Sequence, residues 1–142
     1  MLVGWKPKSN DPSVASVRFR CLSPLNALRA QGFPVEVFDA SRASQYSLVV
    51  FSKLYDAENL KLARSLASQG IKTVLDLSDN HFYNPYDLPA YTTAGTQLRE
   101  MIDAVDDVVC CSAHLAKVVS REVTLRRPPL VVGDAVEALE LG

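Results

Sequence analysis

The chain has 142 residues, 48% of them hydrophobic, which is enough for one domain with a substantial core. With 15 Lys and Arg against 16 Asp and Glu, the net charge of -1 supplies no overall attraction to nucleic acid or to an anionic membrane. Three cysteines lack disulfide or zinc spacing, and no apolar run approaches the ~20 residues of a membrane span, so a reducing, cytoplasmic setting without an integral membrane segment is expected.

Apolar runs of strand length fall at residues 1–5, 34–38, 47–51, 72–77, 107–111 and 130–132. Most are nearly continuous rather than alternating, the mark of strands buried on both faces. Between the first two lies a helix that the sequence reads in two ways. Ser23-Pro24 is either an N-cap with proline at N1, or Pro24 kinks a longer helix that begins near Ser13; both end near Gln31-Gly32. Residues 57–69 place Leu62, Ala63, Leu66 and Ala67 on one helical face, with Asp56 as N-cap and Gly70 as the residue after the C-cap. Leu98, Met101, Ile102 and Val105 recur at helical spacing, and Leu115, Val118 and Val119 repeat the pattern more briefly. This alternation predicts an α/β fold of three layers, Rossmann-like, with a mainly parallel sheet. Residues 1–133 read as that domain and residues 134–142 as the start of an interdomain linker, approached through the basic, proline-stiffened Arg126-Arg127-Pro128-Pro129.

In an open parallel sheet, ligands sit outside the carboxyl ends of the strands, so the loops there are the places to look for chemistry. Lys6 and Lys8, followed by Arg18 and Arg20 near the first helix, form either an anion-holding group or a solvated surface. Neither a dinucleotide fingerprint nor a P-loop occurs, so no bound NAD or ATP, and no other cofactor, is expected. Lys53 and Tyr55 follow the third strand, and Asp79, Asn80 and His81 follow the fourth. Asp79 is a candidate to accept a substrate hydrogen bond or to act as base, with His81 its rival; a turn-capping Asp79 beside a surface His81 is the plainer alternative. Ser112 caps a helix whose first N–H groups face the same cleft, and His114 lines that cleft or faces solvent. One loop carries too few ligands for a metal, and Cys110 and Cys111, in an apolar strand, read as inert.

Three segments carry a family resemblance. Val105-Asp106-Asp107-Val108-Val109-Cys110-Cys111-Ser112-Ala113-His114-Leu115 resembles the strand-to-helix element A-D-x-V-x-x-x-S-x-x-L of the GT-B glycosyltransferases, especially the retaining family 4, or group 1, enzymes. Val131-Val132-Gly133-Asp134-Ala135-Val136-Glu137 is similar to that family's V-I-P-N-G-V-D approach to the interdomain linker. Ser16-Val17-Arg18-Phe19-Arg20, with Pro24, Leu28 and Gly32, resembles the first helix of members beginning S-x-R-x-R…P…L…G. Gly4-Trp5-Lys6-Pro7 replaces the glycine-rich turn of many members, and Ser52-Lys53 stands where several place a histidine.

The resemblance implies the acceptor-side domain of a two-domain enzyme that moves a sugar from a nucleotide-sugar donor to an acceptor hydroxyl. Arg18, Arg20, Lys53, Asp79, Asn80 and Ser112 would then line an interdomain cleft, and the chain alone would transfer nothing. Two other readings stand beside it: a non-enzymatic flavodoxin-like module that binds a protein, and a small-molecule enzyme with its base at Asp79 or His81. A weak homodimer through the strand-end face is an open alternative.

Overall fold

The computed structural model of the protein describes residues 1–135. Most of the expected linker, residues 136–142, lies outside the described residues. Six strands form one sheet: β1 (Val3–Lys6), β2 (Val35–Val37), β3 (Leu48–Ser52), β4 (Lys72–Leu77), β5 (Asp107–Cys110) and β6 (Leu130–Val131). Every pairing is parallel and the order is β2-β1-β3-β4-β5-β6. The fold is therefore α/β and Rossmann-like, and strand ends differ from the sequence expectation by at most two residues.

Strand alternation sorts the side chains onto two faces. Val49, Phe51, Leu75, Leu77, Val108 and Cys110 point to one face and are buried. Three helices close over them: α3 (Ala57–Ser68), α4 (Pro89–Ala104) and α5 (Ala113–Glu122), through Leu60, Ala63, Leu66, Leu98, Met101, Ile102, Leu115 and Val119. The expected caps are present: Asp56 accepts from the Asn59 N–H at 2.9 Å, and Ser112 Oγ from the Leu115 N–H at 3.1 Å. Gly70 has φ +77°, the left-handed value that a lysine or serine there would resist.

Among the described residues, one α-helical stretch packs on the opposite face. It begins as α1 (Ala15–Val17), widens into a π-helical turn (Arg18–Leu22) and continues as α2 (Ser23–Ala30), burying Val17, Cys21 and Leu25. Of the two readings of this region, the structure takes the longer helix. Pro24 has no N–H to donate and sits just after the turn, where the ladder has already shifted to an i to i−5 bond from the Ser23 N–H to the Arg18 carbonyl. Gly4 shows how tightly β1 is held: a Cβ would come within 2.9 Å of Tyr46 Cε1 and 3.1 Å of Phe38 Cδ2. Tyr46 cannot easily move aside, because its hydroxyl donates to Glu36 Oε1 at 2.7 Å and accepts from the Asp39 N–H at 2.9 Å.

Candidate functional site

The strand order reverses between β1 and β3, so the loops leaving those two strands diverge and open a crevice beyond their carboxyl ends. A cleft of about 330 Å³ lies there. Lys8 reaches it from the loop after β1, Ser52 from the last position of β3, Lys53 and Tyr55 from just beyond, and Asp79 and His81 from the loop after β4; Ser16 of α1 completes its wall.

Lys53 is the most constrained of these residues. Its φ is +56°, a left-handed conformation costing a side-chain-bearing residue about 1–2 kcal/mol. The backbone is held there by the Lys53 N–H, which donates to the Asp76 carbonyl at 2.8 Å and extends the β3–β4 ladder by one step. Its ammonium lies 2.5 Å from Asp79 Oδ2. Backbone strain of this kind concentrates at binding sites, where the surrounding structure over-determines it.

The other polar groups of the cleft share an unusual property. Among the described residues, the side chains of Lys8, Ser16, Ser52, Tyr55 and His81 make no hydrogen bond or ion pair, although each is able to. Ser52 is only 4% exposed as a residue, yet its hydroxyl is not sealed off: among the described residues, the buried side-chain atoms without a hydrogen-bond partner are Trp5 Nε1 and Arg42 Nε. His81 sets its ring edge-on to Tyr55, with centroids 5.5 Å apart. Burial, then the charges of Lys53 and Lys8, hold its pKa below the ordinary imidazole value, so the ring is neutral at pH 7.

A second feature lies on the helix-poor face of the sheet. Arg20, from the π-helical turn, meets Asp76 of β4 in a buried two-pronged ion pair, Nε to Oδ2 at 3.1 Å and the second prong from Nη2 to Oδ1. The same guanidinium donates to the Val132 carbonyl at 2.6 Å and to Asp134 Oδ1 at 3.3 Å. Burial pushes the Asp76 carboxyl above its ordinary value, while the hydrogen bonds and charge of Arg20 pull it down. Beside this pair runs an apolar groove of about 270 Å³ walled by Trp5, Phe19, Pro24, Val50, Val74 and Val109.

The residues singled out from sequence therefore divide. Lys53, Asp79 and His81 come together in the polar cleft. Arg20 lies in the wall of the apolar groove instead. Arg18 donates to the Pro12 carbonyl at 2.7 Å and lies 4.5 Å over the Phe19 ring. Asn80 Oδ1 accepts from the Phe82 N–H at 3.1 Å and closes a turn, and Ser112 is occupied in capping α5. His114 is exposed on α5 and lines an open groove with Lys117 and Arg121. Lys8 and Tyr55, which the sequence places after the first and third strands, also reach the cleft, whereas Ser16 of α1 and Ser52 of β3 join it without having been singled out; the signal available for Ser52 was its position at the end of β3.

Burial pushes the Cys110 thiol up to about 11 and the Cys21 thiol to about 12, so neither offers a thiolate at neutral pH. Among the described residues, no three His, Cys, Asp or Glu side chains are grouped to hold a metal ion, and no helix is long and apolar enough to cross a membrane. Comparison with known protein families, with characterised proteins and with solved structures finds no match to this chain.

Proposed function

We propose that this chain is the acceptor-side domain of a GT-B glycosyltransferase, and that its polar cleft holds the acceptor of a sugar supplied by a nucleotide-sugar donor. One observation carries the proposal: side chains able to hydrogen-bond, left without internal partners, converge in one cleft at the reversal of strand order. A polyhydroxyl compound suits such a site, because it offers donors and acceptors together to Ser16, Ser52, Tyr55 and His81. The family resemblance of the strand ends and of the first helix points the same way.

In the reaction, the bond from the anomeric carbon to the nucleotide's phosphate oxygen breaks, and a bond from that carbon to the acceptor oxygen forms. The acceptor hydroxyl gives up its proton. Neutral His81 and the Asp79 carboxylate are the cleft groups able to accept it, and the domain's larger contribution is orientation. The donor is held by a second domain, so this chain by itself positions the acceptor and completes no transfer.

Titrating the 15N-labelled chain with mono- and disaccharides tests this. The amides of Ser52, Lys53, Asp79 and His81 are expected to shift with saturation, while nucleotide sugars are not turned over. No shift with any saccharide, or turnover by this chain alone, would overturn the proposal.

A second reading has its own observation. The order β2-β1-β3-β4-β5 is that of flavodoxin-like folds, and the apolar groove on the helix-poor face is the surface a protein-binding module would use. That module would leave the cleft amides unmoved by saccharides.

A further inference from the structure

We infer that the compound held in the polar cleft is anionic there, and that the group recognised is a phosphate monoester on a soluble, hydroxylated molecule. The inference rests on reading the cleft as an acceptor site; it adds the charge and the recognised group. Two ammonium groups, Lys8 and Lys53, and one carboxylate, Asp79, line the cleft, so it is net positive while His81 is neutral. Lys8 has no counter-ion among the described residues, and Lys53 is held in a strained backbone that aims it where β3 and β4 end.

Ser52 supplies the second, independent observation. It is more than nine-tenths buried, lines the cleft and makes no hydrogen bond among the described residues. A hydroxyl that lines the same cleft as two lysines is suited to donate to a phosphate oxygen, and Ser16 offers a second one. A neutral sugar would satisfy the hydroxyls and leave Lys8 without use. Asp79 is the group that opposes an anion; its charge is paired with Lys53 and its side chain is 48% exposed, so solvent screens its repulsion.

The test is a set of titrations of the 15N-labelled chain at constant ionic strength with inorganic phosphate, a hexose 6-phosphate and the matching neutral hexose. Phosphate and the hexose phosphate are expected to move the Ser52, Lys53 and His81 amides, the ester binding at least about tenfold more tightly than the neutral sugar. Lys8→Gln and Lys53→Gln should each weaken the ester about tenfold, and Asp79→Asn should tighten it by about threefold or more. Lys8 is exposed in a loop, so its variant keeps the fold if Lys53→Gln does not; Arg121→Gln, on α5 away from the cleft, is the unaffected control.

Equal affinity for the ester and the neutral sugar would overturn the inference and leave the acceptor reading intact. Phosphate binding with no contribution from any sugar would overturn the acceptor reading and keep the anion site. Binding to phosphatidate vesicles without binding of the soluble ester would overturn the choice of a soluble ligand, and Lys8→Gln binding as tightly as the parent chain would remove the site as drawn.

Discussion

Lys53 and Asp79 face each other across the gap where β3 and β4 end, ammonium to carboxylate at 2.5 Å, and the lysine reaches that contact from a left-handed backbone. The pair is partly exposed, so its Coulomb energy contributes little to the fold. What the arrangement fixes is direction: it points a cation into the cleft at the cost of backbone strain.

That cost is measurable by comparing two variants that both delete the side chain. Lys53→Gly should be more stable than Lys53→Ala by about 1 kcal/mol in urea unfolding, because alanine keeps the left-handed penalty that glycine escapes. Equal stability of the two, or a more stable alanine variant, would show that the backbone here is unstrained.

The Arg20–Asp76 pair has the opposite character, being buried and tied to the structure on all sides. Arg20→Leu should lower stability by about 3–5 kcal/mol, since it strands a carboxylate inside the sheet. Adding Asp76→Leu should recover at least half of that loss, because no charge is then left unpaired. A double variant as unstable as the single one would mean that the contacts to Val132 and Asp134 carry most of Arg20's effect.

His81 should make the fold sensitive to acid. Its folded pKa is held down, so the unfolded chain takes up the proton first, near its ordinary value of about 6.5. The imidazole's contribution to stability is therefore complete above that pH and is lost as pH falls through the lower folded value. The urea midpoint should drop between pH 7 and pH 5, and His81→Gln should show a smaller drop over that interval. An unchanged drop would place the acid sensitivity elsewhere.

Ser112 separates capping from ligand contact. Ser112→Ala should cost about 1 kcal/mol from the loss of the bond to the Leu115 N–H, with saccharide and phosphate affinities at the cleft unaltered. A change in affinity beyond about threefold without loss of stability would return Ser112 to the ligand's surroundings.

Most strands were legible because the central strands carry buried or half-buried apolar side chains on both faces, which writes them as continuous apolar runs; β6 is the exception, its Leu130 and Val131 being 60% and 51% exposed. Asp56, Gly70 and Ser112 were legible because capping is local chemistry. The first helix was not settled by sequence: its π-helical turn carries Arg20, whose partner Asp76 lies 56 positions away and leaves no local pattern. The short 3-10 stretch Ala40–Gln45, capped by Asp39, also escaped, because it breaks at Arg42 and carries no periodic pattern. The same long-range dependence explains the division of the candidate site. Lys53, Asp79 and His81 follow strand ends, where topology alone brings them together. Arg20 looked equally close to the first strand, but its side depends on helix phase, which the widened turn resets.

That reset has an evolutionary reading. A π-helical turn is an α-helix with one residue inserted, so the stretch before Arg18 is about 100° out of phase with the stretch after Leu22. Removing one residue within the turn would rotate Ser16 away from the polar cleft or Arg20 away from Asp76, whichever end stayed anchored. Homologues that keep both contacts must therefore keep the insertion, and an alignment gap at this turn would mark chains that have lost either the cleft wall or the buried pair.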